Sequence, residues 1–257
     1  MTADALPPAD RHAMRARAFV ATSLSGGRTV VSGLGSAPPL TFRQTGARTV
    51  HLVSTAAGPL GGDRLRLDLD VAPGTSLDVG SVASTLVLPG EGESHLLITA
   101  RVGAGASLRF APEPTVLAAG CAHRLTVRLA LAADARVLWR EEIVFGRYGE
   151  RPGRCHARFD ATSDGRPLLR QEHVVGDPAL DTSSAIYGTA RCVGTTLVTP
   201  LVTPGPACRE AVVGDGVAVL PLAGPGVLVS ALAPDAVALR DRLEWGEALA
   251  SAPSGAG

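Results

Sequence analysis

From Arg64 to Val71 the chain alternates apolar and charged side chains without a break: Leu65, Leu67, Leu69 and Val71 share one face, Arg64, Arg66, Asp68 and Asp70 the other. A period of two predicts a half-buried strand. The same phrase of strand, small-residue turn and second strand is then written three times. Its copies are Val71-Ala-Pro-Gly-Thr-Ser-Leu77-Asp-Val79, Val102-Gly-Ala-Gly-Ala-Ser-Leu108-Arg-Phe110 and Leu131-Ala-Ala-Asp-Ala-Arg-Val137-Leu-Trp139. They lie about 30 residues apart, the interval of stacked supersecondary units. Strands that recur in this way, each too short to bury its own apolar face, predict the layered sheets of a β-solenoid, with a sandwich of similar hairpins as the alternative.

Turn-rich connectors separate the copies, Leu88-Pro-Gly-Glu-Gly-Glu-Ser94 and Ala111-Pro-Glu-Pro-Thr-Val116, where proline and glycine exclude a central strand. From Ala157 to Val175 the alternation returns around Asp164-Gly-Arg166, a hairpin signature. Beyond about Gly176 the character changes. Val217 to Leu222 and Val227 to Leu232 read as strands, and Pro234 to Gly246 as one amphipathic helix, with Asp235 at its positive end and Gly246 as a break. The fold class expected is mainly β, with stacked, solenoid-like sheets and one C-terminal helix. The expected organisation is a flexible N-terminus at 1–18, a single β domain at 19–250 and a disordered tail at 251–257. Within the domain, the repeat core spans about 45–175 and an αβ part about 176–250.

Composition removes several classes of function. The 257 residues carry no formal net charge, and all 24 basic residues are arginines scattered along the chain, which argues against nucleic acid or a membrane surface as partner. No apolar run approaches the roughly 20 residues a bilayer requires, and no secretory leader is evident, so a cytoplasmic protein is expected. Cys121, Cys155, Cys192 and Cys208 are widely spaced, fitting neither a disulfide scaffold nor a Cys-x-x-Cys zinc site.

The residues able to carry chemistry are few. His51 to Asp63 ends in adjacent glycines, Gly61 and Gly62, which hold Asp63 beside Arg64; alone this reads as a tight turn with a solvated Asp. Glu141 and Glu142 adjoin within a strand, so one of them should face the interior, unless both serve an ion pair with Arg140 or Arg147 at a sheet edge. Cys121 with His123, and Cys155 with His156, could hold a borderline metal, although spacing does not bring the pairs together. Thr85 has Ser81 and Ser84 nearby but no general base, and neither a Gly-x-Ser-x-Gly elbow nor a dinucleotide fingerprint is present.

Gly58-Pro-Leu-Gly-Gly-Asp-Arg64, Ala72-Pro-Gly74, Pro112-Glu-Pro-Thr-Val116, Glu141-Glu-Ile-Val-Phe-Gly-Arg147 and Asp164-Gly-Arg-Pro-Leu-Leu169 occur in the order seen in the urease accessory protein D family, which the chain resembles over about residues 20–175. The resemblance implies a non-enzymatic scaffold for nickel insertion that binds apo-urease and recruits the F-type accessory protein and the GTPase G. It implies no tightly bound cofactor and nickel only in transit, through an internal polar passage. Asp63, Thr85 and Glu141 match positions of that route, and Glu113 and Glu142 are neighbouring polar positions; Gly61, Gly62, Arg64, Gly146 and Arg147 are implied to shape turns and packing. Two departures stand out: Val82-Ala-Ser-Thr-Leu-Val87, with Leu86, replaces the family's Gly-Ala-Thr-Lys and aromatic, and Gln171, followed by Glu172, replaces a usual Glu. The competing readings are a metal-dependent enzyme using Cys121, His123, Cys155 and His156, and a carbohydrate-active β-solenoid using Asp63, Glu141 and Glu142.

Overall fold

In the computed structural model, residues 13–199 and 210–251 are described. The chain opens with β1 (Arg15–Ser25), β2 (Arg28–Gly35), β3 (Leu40–Gln44) and β4 (Thr49–Ser54). The repeats follow as β5 (Arg64–Val71), β6 (Ser76–Ser81), β7 (Thr85–Val87), β8 (Ser94–Val102), β9 (Ser107–Phe110), β10 (Thr115–Leu117), β11 (Ala122–Leu131) and β12 (Arg136–Val144). A hairpin, β13 (Arg154–Ser163) with β14 (Arg166–Val175), leads to a single helical turn, α1 (Pro178–Asp181). The C-terminal part holds β15 (Cys192–Thr199), β16 (Val212–Gly214), β17 (Val217–Pro221), β18 (Val227–Ala233) and α2 (Ala236–Ser251).

Two sheets face each other. One runs β14-β13-β11-β8-β5-β1-β2, the other β16-β17-β18-β15-β12-β9-β6-β4-β3; the short β10 pairs with β12, and β7 with β10. The three written repeats are three coils, each contributing one strand to each large sheet, in parallel register. Leu67 therefore stacks on Ile98, Ile98 on Val127, and Val127 on Phe159. In the opposite sheet Val79 stacks on Phe110 and Phe110 on Trp139. The two ladders meet where Trp139 stacks on Phe110, ring centroids 4.0 Å apart, and touches Phe159 at 5.9 Å. Stacked aromatic and aliphatic rungs bury the area that drives folding. The layered reading thus holds over the sandwich of hairpins.

The turns stack as well. Thr22 and Thr75 share a hydroxyl contact of 2.6 Å, Thr75 Oγ1 donates to the Ala72 carbonyl, and Ser107 Oγ donates to Ser76 Oγ one coil below. At the β13–β14 hairpin, Asp164 (φ 48°) and Gly165 (φ 73°) both adopt positive φ, the geometry of a tight primed turn that fits the strands' twist.

Three expectations change. β1 begins at Arg15, inside the segment expected to be flexible, and pairs in parallel with β5 as part of the core sheet; residues 1–12 lie outside the described residues. The helix does not break at Gly246. It runs on to Ser251, because the bare Cα lets α2 lie directly on Val229 and Val219, where a Cβ would collide. Ser251, expected in the tail, closes that helix, and residues 252–257 lie outside the described residues. The helix is capped by Asp235, whose carboxylate accepts the Ala238 N–H at 2.8 Å. Leu239 and Leu243 build a second core with Val217, Val219, Val227 and Val229. No helix among the described residues is long and apolar enough to cross a membrane.

Leu67 is 2% exposed at the middle of the inward ladder. Leu67→Ala is expected to lower the free energy of unfolding by about 2–5 kcal/mol in urea titration. Asp70→Ala, on the outward face of the same strand, should stay within about 0.5 kcal/mol.

Candidate functional site

The turn before β5 is built around Asp63. Gly62 takes φ 85°, and Gly61 passes so close to Gly90 of the next coil that a Cβ would strike its backbone. The carboxylate, fully buried, accepts the Met14 N–H at Oδ1 and the Leu60 N–H at Oδ2, both at 2.9 Å. It is therefore not the solvated residue that spacing alone suggested. It ties the entry of β1 to the turn, while its own carbonyl accepts the His95 N–H at 2.8 Å. Arg64 points outward, and its guanidinium donates to the Glu93 carbonyl at 2.7 Å.

Strand β12 carries the unusual charges. It lies in mid-sheet, between β9 and β15, and not at an edge. Alternation sends Trp139 and Glu141 to the interior and Arg140 and Glu142 to the opposite face, which α2 covers. Neither face is open, so both carboxylates are enclosed. Glu141 as a residue is half-buried, but its Oε1 has no contact with solvent and no hydrogen-bond partner among the described residues; the same holds for Trp139 Nε1. Burial pushes the Glu141 carboxyl up to about 7, with the Trp139 indole acting in the opposite direction.

Glu142 meets cations. Arg240 of α2 donates to its Oε1 through Nε at 3.1 Å and Nη2 at 2.9 Å, and reaches Glu113 Oε1 through Nη1 at 3.1 Å. Arg140, 3.8 Å from Glu142, is held instead by Glu247 through Nε at 2.8 Å and Nη2 at 2.5 Å. Glu247 also accepts the Thr196 hydroxyl at 2.6 Å, and Glu244 stands 3.4 Å from Arg140. Burial raises the Glu142 pKa, Arg240 and Arg140 oppose it, and Glu113 adds to the rise. Glu142 Oε2 is buried without a partner among the described residues.

Thr85, Glu113 and the glutamate pair come together at one corner of the stack. Strand β9 ends at Phe110 and β10 begins at Thr115, so residues 111–114 bow out beside Arg140 to Glu142; residues 82–84 bow out in the same way one coil below. Thr85 pairs with Thr115, and Ser81 Oγ accepts the Glu113 N–H at 2.9 Å. The turn holding Asp63 adjoins through the Leu60–Leu88 bridge, three residues beyond Thr85. Gly146 takes φ 93° just past β12, and Arg147 pairs with Glu150 on the surface, Nε to Oε1 2.9 Å.

The four Cys and His candidates do not converge on one point. His123 and Cys155 are register partners whose side chains are buried. His156, next along β13, lies on the other face, between Arg124 at 2.8 Å and Glu172 at 3.1 Å. His123 Nδ1 lies 2.8 Å from Ser94 Oγ, and burial pulls its pKa down to about 4, keeping the imidazole neutral. The thiols are driven the other way by burial, Cys121 up to about 11 and Cys155 up to about 12, with Cys121 and Glu141 adding to the latter. Protonated thiols are poor ligands and nucleophiles. Among the described residues no three His, Cys, Asp or Glu side chains form a metal-holding group. A carboxylate pair across one cleft is not formed either, since Glu141 and Glu142 face opposite ways and Asp63 is engaged by the backbone. Where the resemblance expected Glu, Gln171 turns inward with a buried Oε1 that has no partner among the described residues, whereas Glu172 turns out to Arg158 at 3.0 Å.

Arg240, Glu244 and Glu247 were not legible as site residues, because on a helix their spacing reads as a solvated face. Only the arginine inside the strand Trp139-Arg-Glu-Glu hints that acids must come from elsewhere to meet it.

Comparisons with known proteins place the chain in a family. The profile of the UreD urease accessory protein family matches residues 14–253. A urease accessory protein UreD of Frankia casuarinae is 43% identical over 291 aligned positions, covering 94% of this chain and 91% of the relative. Counterparts in Parafrankia sp. (44% identical; 91% and 88% covered) and Streptomyces coelicolor (42%; 85% and 89%) are similar to the same extent. The chain belongs to the UreD family of urease accessory proteins.

Proposed function

We propose that this chain is a non-catalytic, cytoplasmic scaffold of urease maturation, which binds apo-urease, recruits the F and G accessory proteins, and lets nickel pass through the corner of the stack bounded by Asp63, Thr85, Glu113, Glu141 and Glu142. The observation that carries the reading is Glu141: a carboxyl aimed between two sheets, with an oxygen unpartnered among the described residues and a pKa near neutrality. A carboxylate without a partner in a hydrocarbon core is too costly to be kept as packing. An oxygen donor set that never closes around an ion binds a divalent cation weakly and releases it. Nickel in this reading is cargo, and no resident cofactor is required.

The experiment is co-purification of the full chain with urease subunits and the F and G proteins, followed by urease activation. Glu141→Gln preserves shape and removes the charge. It is expected to leave the complex intact and to lower nickel-dependent activation roughly tenfold, the scale of losing an oriented metal contact. Normal activation by this variant would overturn the passage. Failure of the wild-type chain to co-purify with urease would overturn the scaffold.

A pH experiment probes the same carboxyl without partners. The folded state holds a proton on Glu141 up to about pH 7, while a free carboxyl releases it near the ordinary value of 4.5. Between those values the unfolded chain binds fewer protons, so this group erodes stability as pH rises. Glu141→Gln should match wild type near pH 4.5 and exceed it above pH 7, by on the order of 1–3 kcal/mol in chemical denaturation.

A further inference from the structure

The network under α2 has an excess of negative charge that its arginines do not cancel. Four carboxylates, Glu113, Glu142, Glu244 and Glu247, share two guanidinium groups, Arg140 and Arg240. The two arginines differ in how they are held. Arg140 has a side chain 5% exposed and is gripped by both oxygens of Glu247, which Thr196 anchors in turn. Arg240 has a side chain 30% exposed and bridges from the helix to Glu142 and Glu113. It is the more exposed of the two guanidinium side chains.

We propose that Arg240 is a displaceable counter-cation, occupying between Glu113 and Glu142 the place that a divalent metal ion takes when it enters the passage. Two oxygens that now sit about 3 Å from guanidinium nitrogens are the donors, and Glu142 Oε2, buried and unpartnered among the described residues, is a third. Oxygen donors without thiolate suit a hard or borderline divalent ion. A guanidinium is always charged and offers donors in a fixed fork, so it satisfies both carboxylates while no metal is present. With it in place, an ion must compete against a resident cation; with it swung outward, the ion meets the buried Glu142 carboxylate and the partly exposed Glu113. Arg240 would thus keep the corner closed in the empty protein and make occupancy reversible. The proposal deepens the passage reading and rests on it. The competing role for Arg240 is a plain staple that fastens α2 to the sheet.

The test is nickel ion alone, titrated calorimetrically into the full chain, with circular dichroism to verify folding. Arg240→Gln and Arg240→Met remove the charge, Arg240→Lys keeps it. Either charge-removing variant that retains the wild-type spectrum is expected to bind one Ni²⁺ roughly tenfold tighter than wild type, the scale of freeing a carboxylate pair from a close cation. The gain should vanish in Arg240→Gln with Glu142→Gln, and Arg240→Lys should resemble wild type. A folded charge-removing variant without tighter binding, or a gain that survives Glu142→Gln, overturns the proposal. So does loss of fold in both charge-removing variants, which would make Arg240 the staple. Urease activation separates this from the passage itself. Tighter binding in the Arg240 variants with normal activation by Glu141→Gln upholds the counter-cation and removes the delivery route, whereas no tighter binding with activation still lost in Glu141→Gln does the reverse.

Discussion

In-register parallel stacking is the constraint from which the rest of this structure follows. When coils repeat at a fixed interval and pair in parallel, each inward position sits on another inward position and each outward one on another outward one. Leu67, Ile98, Val127 and Phe159 form one such column. A shift by one residue in any coil would turn its whole apolar set to solvent and drive its charges into the core. The register is therefore held by the entire column, and the faces that it assigns are not negotiable for single residues. That is why two adjacent glutamates in β12 cannot both remain in water. One must enter the space between the sheets and the other must enter the space beneath α2.

The two sides solve the buried-charge problem differently. Beneath the helix, guanidinium groups pair with Glu142 and Glu247. Such networks seldom add much net stability, because desolvation consumes the Coulombic gain, so their presence points to a requirement other than holding the fold. Between the sheets no cation is at hand among the described residues, and Glu141 responds by rising towards neutrality as an acid. A carboxyl that can be either neutral or charged near physiological pH, with an oxygen uncommitted, is suited to intermittent contact with a cation. A permanently paired carboxylate is not.

Much of this was readable from residue order, and the gaps have physical causes. The strict alternation of Arg64 to Val71, the three repeats and the Asp164-Gly165 turn each state their geometry locally, and the strands and turn fall where those patterns place them. β15 was missed. Cys-Val-Gly-Thr-Thr-Leu-Val-Thr lies between β12 and β18 with every residue buried, so it has no polar face to produce a period of two. Gly246 misled because a glycine in a helical pattern signals either a break or a close approach, and only the neighbouring Val229 decides between them. At the site, the glutamate pair was visible because β12 supplies both residues from one segment. Arg240 and Glu247 were not visible, since their partners stand 98 and 107 positions away in the chain.

The five acidic and hydroxyl positions implied by family resemblance are not equivalent in what they can offer a passing ion. Both Asp63 oxygens accept backbone N–H groups, from the residue just before β1 and from a turn that the carboxylate itself fixes. An ion bound there would have to displace donors that hold β1 in register, which makes Asp63 first a structural residue. Thr85 supplies a neutral oxygen at the start of a short strand whose geometry is set by its backbone pairing with Thr115. Glu113 and Glu142 share a guanidinium, and the oxygens it holds act as donors only when Arg240 yields. Glu141 faces between the sheets with an uncommitted oxygen and no paired guanidinium among the described residues, whereas Glu142, which also has an uncommitted oxygen, lies beneath α2 against Arg240. A passage through this corner would therefore have its tightest point at Glu141, with the paired carboxylates on its rim and Asp63 serving as the wall.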